Sequence, residues 1–283
     1  MTGMGNWKFA FASAIGNGHI AENIPCQDFC AVEDHGDFTI SVVCDGAGSC
    51  EHARLGAQQV AQSCLFRFNA AIRTNNWHKA ALPETAAWQK VVKQTLYSVK
   101  EDLENYSIAS ELPFKSLSCT VIVVITLNDG LLVTHIGDGR AGYLNAADEW
   151  HALITPFHGS EANETVFITS DIWTDDIIDT YLSADVVAGE VKAFCLLSDG
   201  CEKAAFECNL YDTENEVYYD PNRPFPLFFK SNIDIIPKLF DNGLSQEEVN
   251  TNWQAFLAGG NETLKTESDD KTLILAVKTN GGN

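Results

Sequence analysis

The sequence predicts an α/β fold of the layered α+β kind, in which two antiparallel β-sheets pack as a sandwich flanked by α-helices. Three observations carry this reading. Short β-branched runs recur in succession, broken by Asp-Gly and Asn-Asp-Gly turns. Two long amphipathic stretches lie together between the runs rather than alternating with them, which argues against a doubly wound parallel sheet. Finally, 45% of the 283 residues are hydrophobic and only 20% are charged, enough to bury a sizeable core.

Phe38 to Cys44 is a β-branched run stopped by Asp45-Gly46 and reads as a buried strand. From His52 to Arg73 the apolar positions Leu55, Val60, Cys64, Phe68 and Ala71 recur at helical spacing. Pro83 opens a second helix, Glu84 to Ile108. Thr120 to Thr126 and Leu131 to Ile136 flank Asn128-Asp129-Gly130, a strong hairpin signal, and Arg140 to Asn145 continues the meander. Thr165 to Thr169 and Val191 to Ser198 are further expected strands. Residues 205–232, rich in Tyr, Pro, Asp and Asn, show no clean period and read as a surface excursion from a single domain spanning 1–283. A helix, Gln246 to Leu257, and a last strand, Thr272 to Val277, follow it.

Composition narrows the function. Lys and Arg number 18 against 39 Asp and Glu, a formal net charge of −21. General nucleic-acid affinity needs clustered Lys and Arg, so nucleic acid is not an expected partner. If the chain handles phosphate, it needs cations other than its own side chains. The longest apolar run, Cys119 to Leu127, is about half of the roughly 20 residues that span a bilayer. The apolar stretch from Phe9 to Ile15 is too short for a signal peptide and runs into Gly-Asn-Gly-His. Nine cysteines without a Cys-x-x-Cys pair suit a reducing cytoplasm better than disulfides or structural zinc.

The acids are informative by placement. Asp45 and Asp199 each directly follow a strand, Asp138 sits in the turn after another, and Asp269 and Asp270 precede the last one. Asp28 lies in a short extended run, Cys26 to Val32. Antiparallel pairing sets the start of one strand beside the end of the next, which gathers these acids at one rim. Clustered carboxylates repel unless a hard cation neutralises them, and an oxygen-only donor set, with a glycine carbonyl among it, suits Mg²⁺ or Mn²⁺. Two such ions about 4 Å apart clamp a phosphoryl group and acidify a bridging water. Asp-Gly is also a common turn dipeptide, and Asp129 is only a turn. Gly46-Ala47-Gly48-Ser49 before a helix is a weak anion-binding signal, because it lacks a P-loop lysine. Cys26 and Cys30 read as packing residues and His135 as a core residue. Arg140 is either a surface arginine or a brace for the acid-bearing turn.

Five segments, in order between residues 13 and 278, resemble the metal-dependent protein serine/threonine phosphatases of type 2C, most closely the short bacterial members. They are Gly16-Asn17-Gly18-His19-Ile20 with Cys26-Gln27-Asp28, then Val42-Val43-Cys44-Asp45-Gly46, then Ser118-Cys119-Thr120 with Gly137-Asp138-Gly139-Arg140-Ala141. Leu197-Ser198-Asp199-Gly200 and Asp269-Asp270-Lys271-Thr272 complete the set. The resemblance implies a sandwich fold and a Mn²⁺- or Mg²⁺-dependent hydrolase that acts on phosphoserine and phosphothreonine in proteins, by direct attack of a metal-bridging hydroxide. It makes Asp45, Gly46, Asp199 and Asp270 ligands of two ions, with Asp28 reaching one of them and Asp138 belonging to an accessory site. Asp45 and Asp199 are then the central catalytic acids.

Three departures qualify it. Ala47 stands where eukaryotic members carry a proposed general-acid His, so the leaving oxygen takes its proton from water or another group. His19 stands nearest to a phosphate-binding Arg and is the candidate phosphate contact, though it lacks the planar fork of arginine. Lys203 replaces an acid, so a third ion binds weakly if at all. The implied partners are a phosphoprotein substrate and a cognate serine/threonine kinase, with no membrane and with the enzyme a cytoplasmic monomer. An inactive pseudophosphatase that binds phosphoproteins is the alternative.

Overall fold

The computed structural model describes residues 6–157 and 165–279. Strand β1 (Asn6–Ala14) leads through the short helix α1 (Asn17–Glu22) to β2 (Phe29–Asp34), β3 (Thr39–Cys44) and the long helices α2 (Ala53–Thr74) and α3 (Thr85–Ala109). A meander follows: β4 (Val121–Leu127), β5 (Gly130–Ile136), β6 (Arg140–Asn145) and β7 (Trp150–Ala152). The one-turn α4 (Ile178–Tyr181) precedes β8 (Ser183–Ala188) and β9 (Val191–Leu197). After the one-turn α5 (Glu202–Ala205) comes an arm of short strands, β10 (Phe206–Glu207), β11 (Leu210–Asp212), β12 (Val217–Tyr219) and β13 (Arg223–Pro224). Helices α6 (Pro226–Asp241), α7 (Gln246–Gly259) and α8 (Glu262–Thr266) lead to the last strand, β14 (Lys271–Thr279).

Two five-stranded antiparallel sheets result, ordered β1-β14-β9-β6-β7 and β2-β3-β4-β5-β8. Strand periodicity explains why both are buried on two faces. Val43, Ile122 and Val124 pack between the sheets against Phe194, Leu196, Ile274 and Ala276 of the other sheet. Their neighbours Val42, Val123 and Ile125 turn the other way, onto Val60, Phe68, Val92 and Leu96 of α2 and α3. In the first sheet Leu197, Leu273 and Leu275 face Phe229, Trp253 and Leu257 of α6 and α7. Each helical layer is also pinned by an indole: Trp88 donates to the Val133 carbonyl and Trp253 to the Leu273 carbonyl, both at 2.9 Å. The expected helix-flanked sandwich is therefore the observed architecture.

Most expected elements fall within a residue or two of the observed ones, and β7, β8, α6 and α8 are additions to them. Thr165 to Thr169 forms no strand. Ile168 gives one backbone hydrogen bond, to the Cys119 carbonyl at 3.0 Å, and Ser170 closes a turn on Phe167. The β-branched residues there report burial of Val166 and Ile168 in the core, not pairing. Strand β1 and helix α1 were not expected, because Ala alternates with Phe along β1 and blurs its period. The excursion is shorter than 205–232, since Pro226 starts α6, and residues 206–224 hold two small antiparallel ladders. Asp28 precedes β2 rather than lying inside a strand.

His135, only 3% exposed, is a core residue on β5 as its apolar surroundings suggest. Its Nδ1 bonds the Ser183 hydroxyl and the ring also donates to the Thr155 carbonyl. Burial holds its pKa down at about 4, against 6.5 for a free imidazole. The unfolded chain therefore binds a proton that the fold rejects between those values, and stability is lost as pH falls from about 6.5 to 4. The full effect is roughly 3 kcal/mol. The stability difference between His135→Gln and the wild type should shift in favour of the variant by that amount between pH 7 and 4 in denaturant melts. A pH-independent difference contradicts the assignment.

Candidate active site

The strand register brings the acids to one rim. Cys44 pairs with Phe29, so Asp45 and Asp28 sit side by side one step past the ladder. Arg140 and Leu273 both pair with Leu197, which sets the Asp138 turn and the start of β14 on either side of Ser198-Asp199. The Asp45 amide bonds the Thr120 hydroxyl at 3.1 Å, and Thr120 returns its own amide to the Asp45 carbonyl at 2.8 Å. Gly46 bridges to Cys119, and a Cβ there would lie 2.6 Å from the Gln27 carbonyl oxygen, so the close approach requires glycine.

Asp28 is buried and its Oδ2 accepts from the Ser198 hydroxyl at 2.7 Å. The Ser198 oxygen in turn accepts the Thr272 amide at 3.0 Å, so three strand ends share one knot. Asp45 reaches the side chains of both Asp28 and Asp199. Burial pushes the Asp45 carboxyl well above the ordinary carboxylate range, and the charges of Asp28, Asp199, Asp138 and Asp269 push it further. Asp199 is raised by burial and by Asp138 and Asp269, and Asp28 by burial and by the charge of Asp270, against the hydroxyl bond of Ser198.

Asp270 departs from its expected place. Its Oδ1 accepts the Gly16 amide at 2.8 Å, its Oδ2 accepts the Gln27 amide at 2.6 Å, and His19 Nδ1 lies 2.9 Å from that same oxygen. Asp270 is buried, while Asp269 is exposed and joins the charges acting on Asp45 and Asp199. The charge that acts on Asp45 and Asp199 from this pair is that of Asp269, whereas Asp270 fastens the β1–α1 turn and the Gln27-Asp28 segment to β14 and acts on Asp28. Residue type alone does not separate two adjacent aspartates. His19 likewise meets Asp270 through one ring nitrogen and is 14% exposed. Lys203 bonds Glu267 at 3.0 Å and its charge also acts with Asp199.

Among the described residues, no three His, Cys, Asp or Glu side chains form a ready-made cage for a metal ion. The fit is chemical. The rim offers only oxygen donors, and burial together with neighbouring carboxylates holds Asp28, Asp45 and Asp199 above the ordinary carboxylate range, a penalty that a hard divalent cation would offset. A cavity of ≈ 670 Å³ lies elsewhere, beside α3 and β8, and none of these acids lines it.

A family model described as protein phosphatase 2C matches residues 15–232. The chain belongs to the protein phosphatase 2C family. A curated relative, serine/threonine-protein phosphatase 3 of Escherichia coli K12, is 27% identical over 289 residues, covering 96% of this chain and 98% of its own. Among solved structures, a bacterial serine phosphatase superposes with a TM-score of 0.58 at 14% identity, covering 98% of this chain and 100% of that one. The serine/threonine phosphatase Stp1 from Staphylococcus aureus gives 0.57 at 14% identity, with 99% and 98% covered. RsbX in complex with magnesium gives 0.51 at 12% identity, with 96% of each chain covered. At these identities the structures show that this member of the protein phosphatase 2C family has the fold of those proteins. All nine cysteines are free, and among the described residues no helix is long and apolar enough to cross a membrane.

Proposed function

We propose that this protein phosphatase 2C member hydrolyses phosphoserine and phosphothreonine in proteins, using two Mn²⁺ or Mg²⁺ ions. The observation that carries the reading is the rim itself, where the register gathers Asp28, Asp45, Asp138, Asp199 and Asp269 from separate strand ends. Asp45, Asp28, Asp199, Asp269 and the Gly46 carbonyl hold the ions, with Asp138 at an accessory position. Bound divalent cations supply the positive charge that the chain lacks, neutralise phosphoryl oxygens and make water nucleophilic at neutral pH. Asp45 contributes most, because the charges of Asp28, Asp199, Asp138 and Asp269 all act on it. Ser198 and Thr272 orient Asp28, while Asp270 holds the backbone beneath it. His19, whose Nδ1 is turned to Asp270, offers Nε2 to a phosphate oxygen.

The position of the acids on a rim, away from the cavity beside α3 and β8, favours a phosphorylated polypeptide over a small metabolite. The same reading has a monomer that acts in the cytoplasm opposite a serine/threonine kinase. No observation favours the inactive phosphoprotein-binding alternative, whose site has no need of an intact acid cluster. A phosphoserine peptide assay tests this. Activity should vanish with chelator and return with Mn²⁺ or Mg²⁺. Chelator-resistant hydrolysis, or turnover of small phosphate esters alone, contradicts it.

A further inference from the structure

Arg140 is fully buried, yet it carries a charge that nothing in the proposed chemistry uses. A buried guanidinium is costly unless its donors are matched, and here they are matched from two directions. Nε donates to Glu202 Oε2 at 3.0 Å, and one terminal nitrogen lies 2.9 Å from that same oxygen and bonds Asp220 Oδ2 at 2.7 Å. The other donates to Asn222 Oδ1 at 2.8 Å and lies 3.4 Å from Asp220 Oδ1. Glu202 begins α5, directly behind the Asp199 turn, whereas Asp220 and Asn222 belong to the arm of residues 206–224. The arm is tied further, because Asn222 Nδ2 donates to the Ile154 carbonyl at 2.8 Å.

The register gives this network its meaning. Arg140 pairs with Leu197, so it stands two residues from Asp199 on one strand and two from Asp138 on its own. A side chain there, locked by three partners, fixes both acid-bearing turns from their buried side.

We propose that Arg140 is a positioning residue for the acid rim, holding the Asp199 turn through Glu202, and that the 206–224 arm belongs to the same brace because its Asp220 and Asn222 complete the acceptor set. This rests on the phosphatase reading and adds a function for the arm. The arm is then scaffold for the site, and the tyrosines it exposes, Tyr211, Tyr218 and Tyr219, ride on a rigid base.

The test compares wild type with Arg140→Lys, Asp220→Asn and Asn222→Ala, each checked for folding by circular dichroism. Two readouts are used: kcat and KM on p-nitrophenyl phosphate with Mn²⁺, and the Mn²⁺ concentration giving half of the metal-induced rise in Tm. Lysine keeps the charge but loses the fork, so Arg140→Lys should lower kcat by about 10–100-fold with KM nearly unchanged, as loss of support behind metal ligands does. Its Mn²⁺ midpoint should rise in step, and Asp220→Asn and Asn222→Ala should move both quantities the same way by less. If Arg140→Lys does not fold, the two arm variants carry the test, since they remove acceptors at the arm and leave Arg140 paired with Glu202. Folded variants with wild-type kcat and Mn²⁺ midpoints overturn the proposal, as does a change confined to KM. If the wild type hydrolyses no phosphate ester, the functional reading fails separately, and the Mn²⁺ midpoints still judge Arg140.

Discussion

Asp45→Asn should abolish Mn²⁺-dependent hydrolysis of a phosphoserine peptide while raising the Tm of the metal-free protein. The two effects have one cause. Asp45 reaches both Asp28 and Asp199, and its carboxyl is pushed well above its ordinary range by burial and by four neighbouring acids. A carboxyl whose pKa is raised on folding binds more protons folded than unfolded, so the fold loses stability as pH climbs past the ordinary carboxylate range. At pH 7, above the ordinary carboxylate range, this cost is present without metal, and the neutral amide removes it. With metal, the same substitution takes away one of the charges that would hold the ions. Loss of support behind a ligand costs about 10–100-fold, so loss of the central ligand should exceed about 100-fold in kcat/KM. An Asp45→Asn protein that keeps its activity, or one that melts lower than wild type without metal, contradicts the placement. Such opposition between stability and activity is common where function needs like charges crowded together.

The second large effect separates adjacent aspartates. Asp269→Asn should leave the metal-free fold intact and remove the Mn²⁺-induced rise in Tm together with activity, because Asp269 is exposed and acts on Asp45 and Asp199 only through charge. Asp270→Asn should do the reverse in the metal-free protein. Its carboxylate takes two backbone amides, from Gly16 and Gln27, and faces His19. An asparagine has one acceptor oxygen, so one buried donor is stranded at a cost of about 1–3 kcal/mol. A fall of several degrees in Tm follows. Equal melting of the two variants, with the Mn²⁺ response kept in Asp269→Asn, would restore Asp270 as the ligand. The tight packing there points the same way, since a Cβ on Gly200 would lie 2.0 Å from the Asp270 carbonyl oxygen.

How far these features were legible depends on what each residue reports. The sandwich was readable because its strands are stopped by turn residues and its helices keep a clean period, as in α2 and α3. The family followed from the order of the motifs. The gathering of Asp28, Asp45, Asp138 and Asp199 was also foreseeable, because antiparallel pairing fixes which strand ends meet. Thr165 to Thr169 misled because β-branched residues mark burial as readily as pairing. Asp269 and Asp270 could not be told apart, because only packing tells which of two neighbouring carboxylates meets backbone amides. The braces were less legible still. Arg140 could be named as a brace or a surface residue, but its acceptors lie up to 82 positions away in a segment with no period of its own.

The central claim is that this rim holds divalent cations, and calorimetric titration of the metal-free protein with Mn²⁺ tests it most directly. The account predicts saturable binding of two ions per chain, weakened by Asp45→Asn and by Asp269→Asn. A wild-type protein that takes up no Mn²⁺, or that binds it equally well without Asp45, would contradict it.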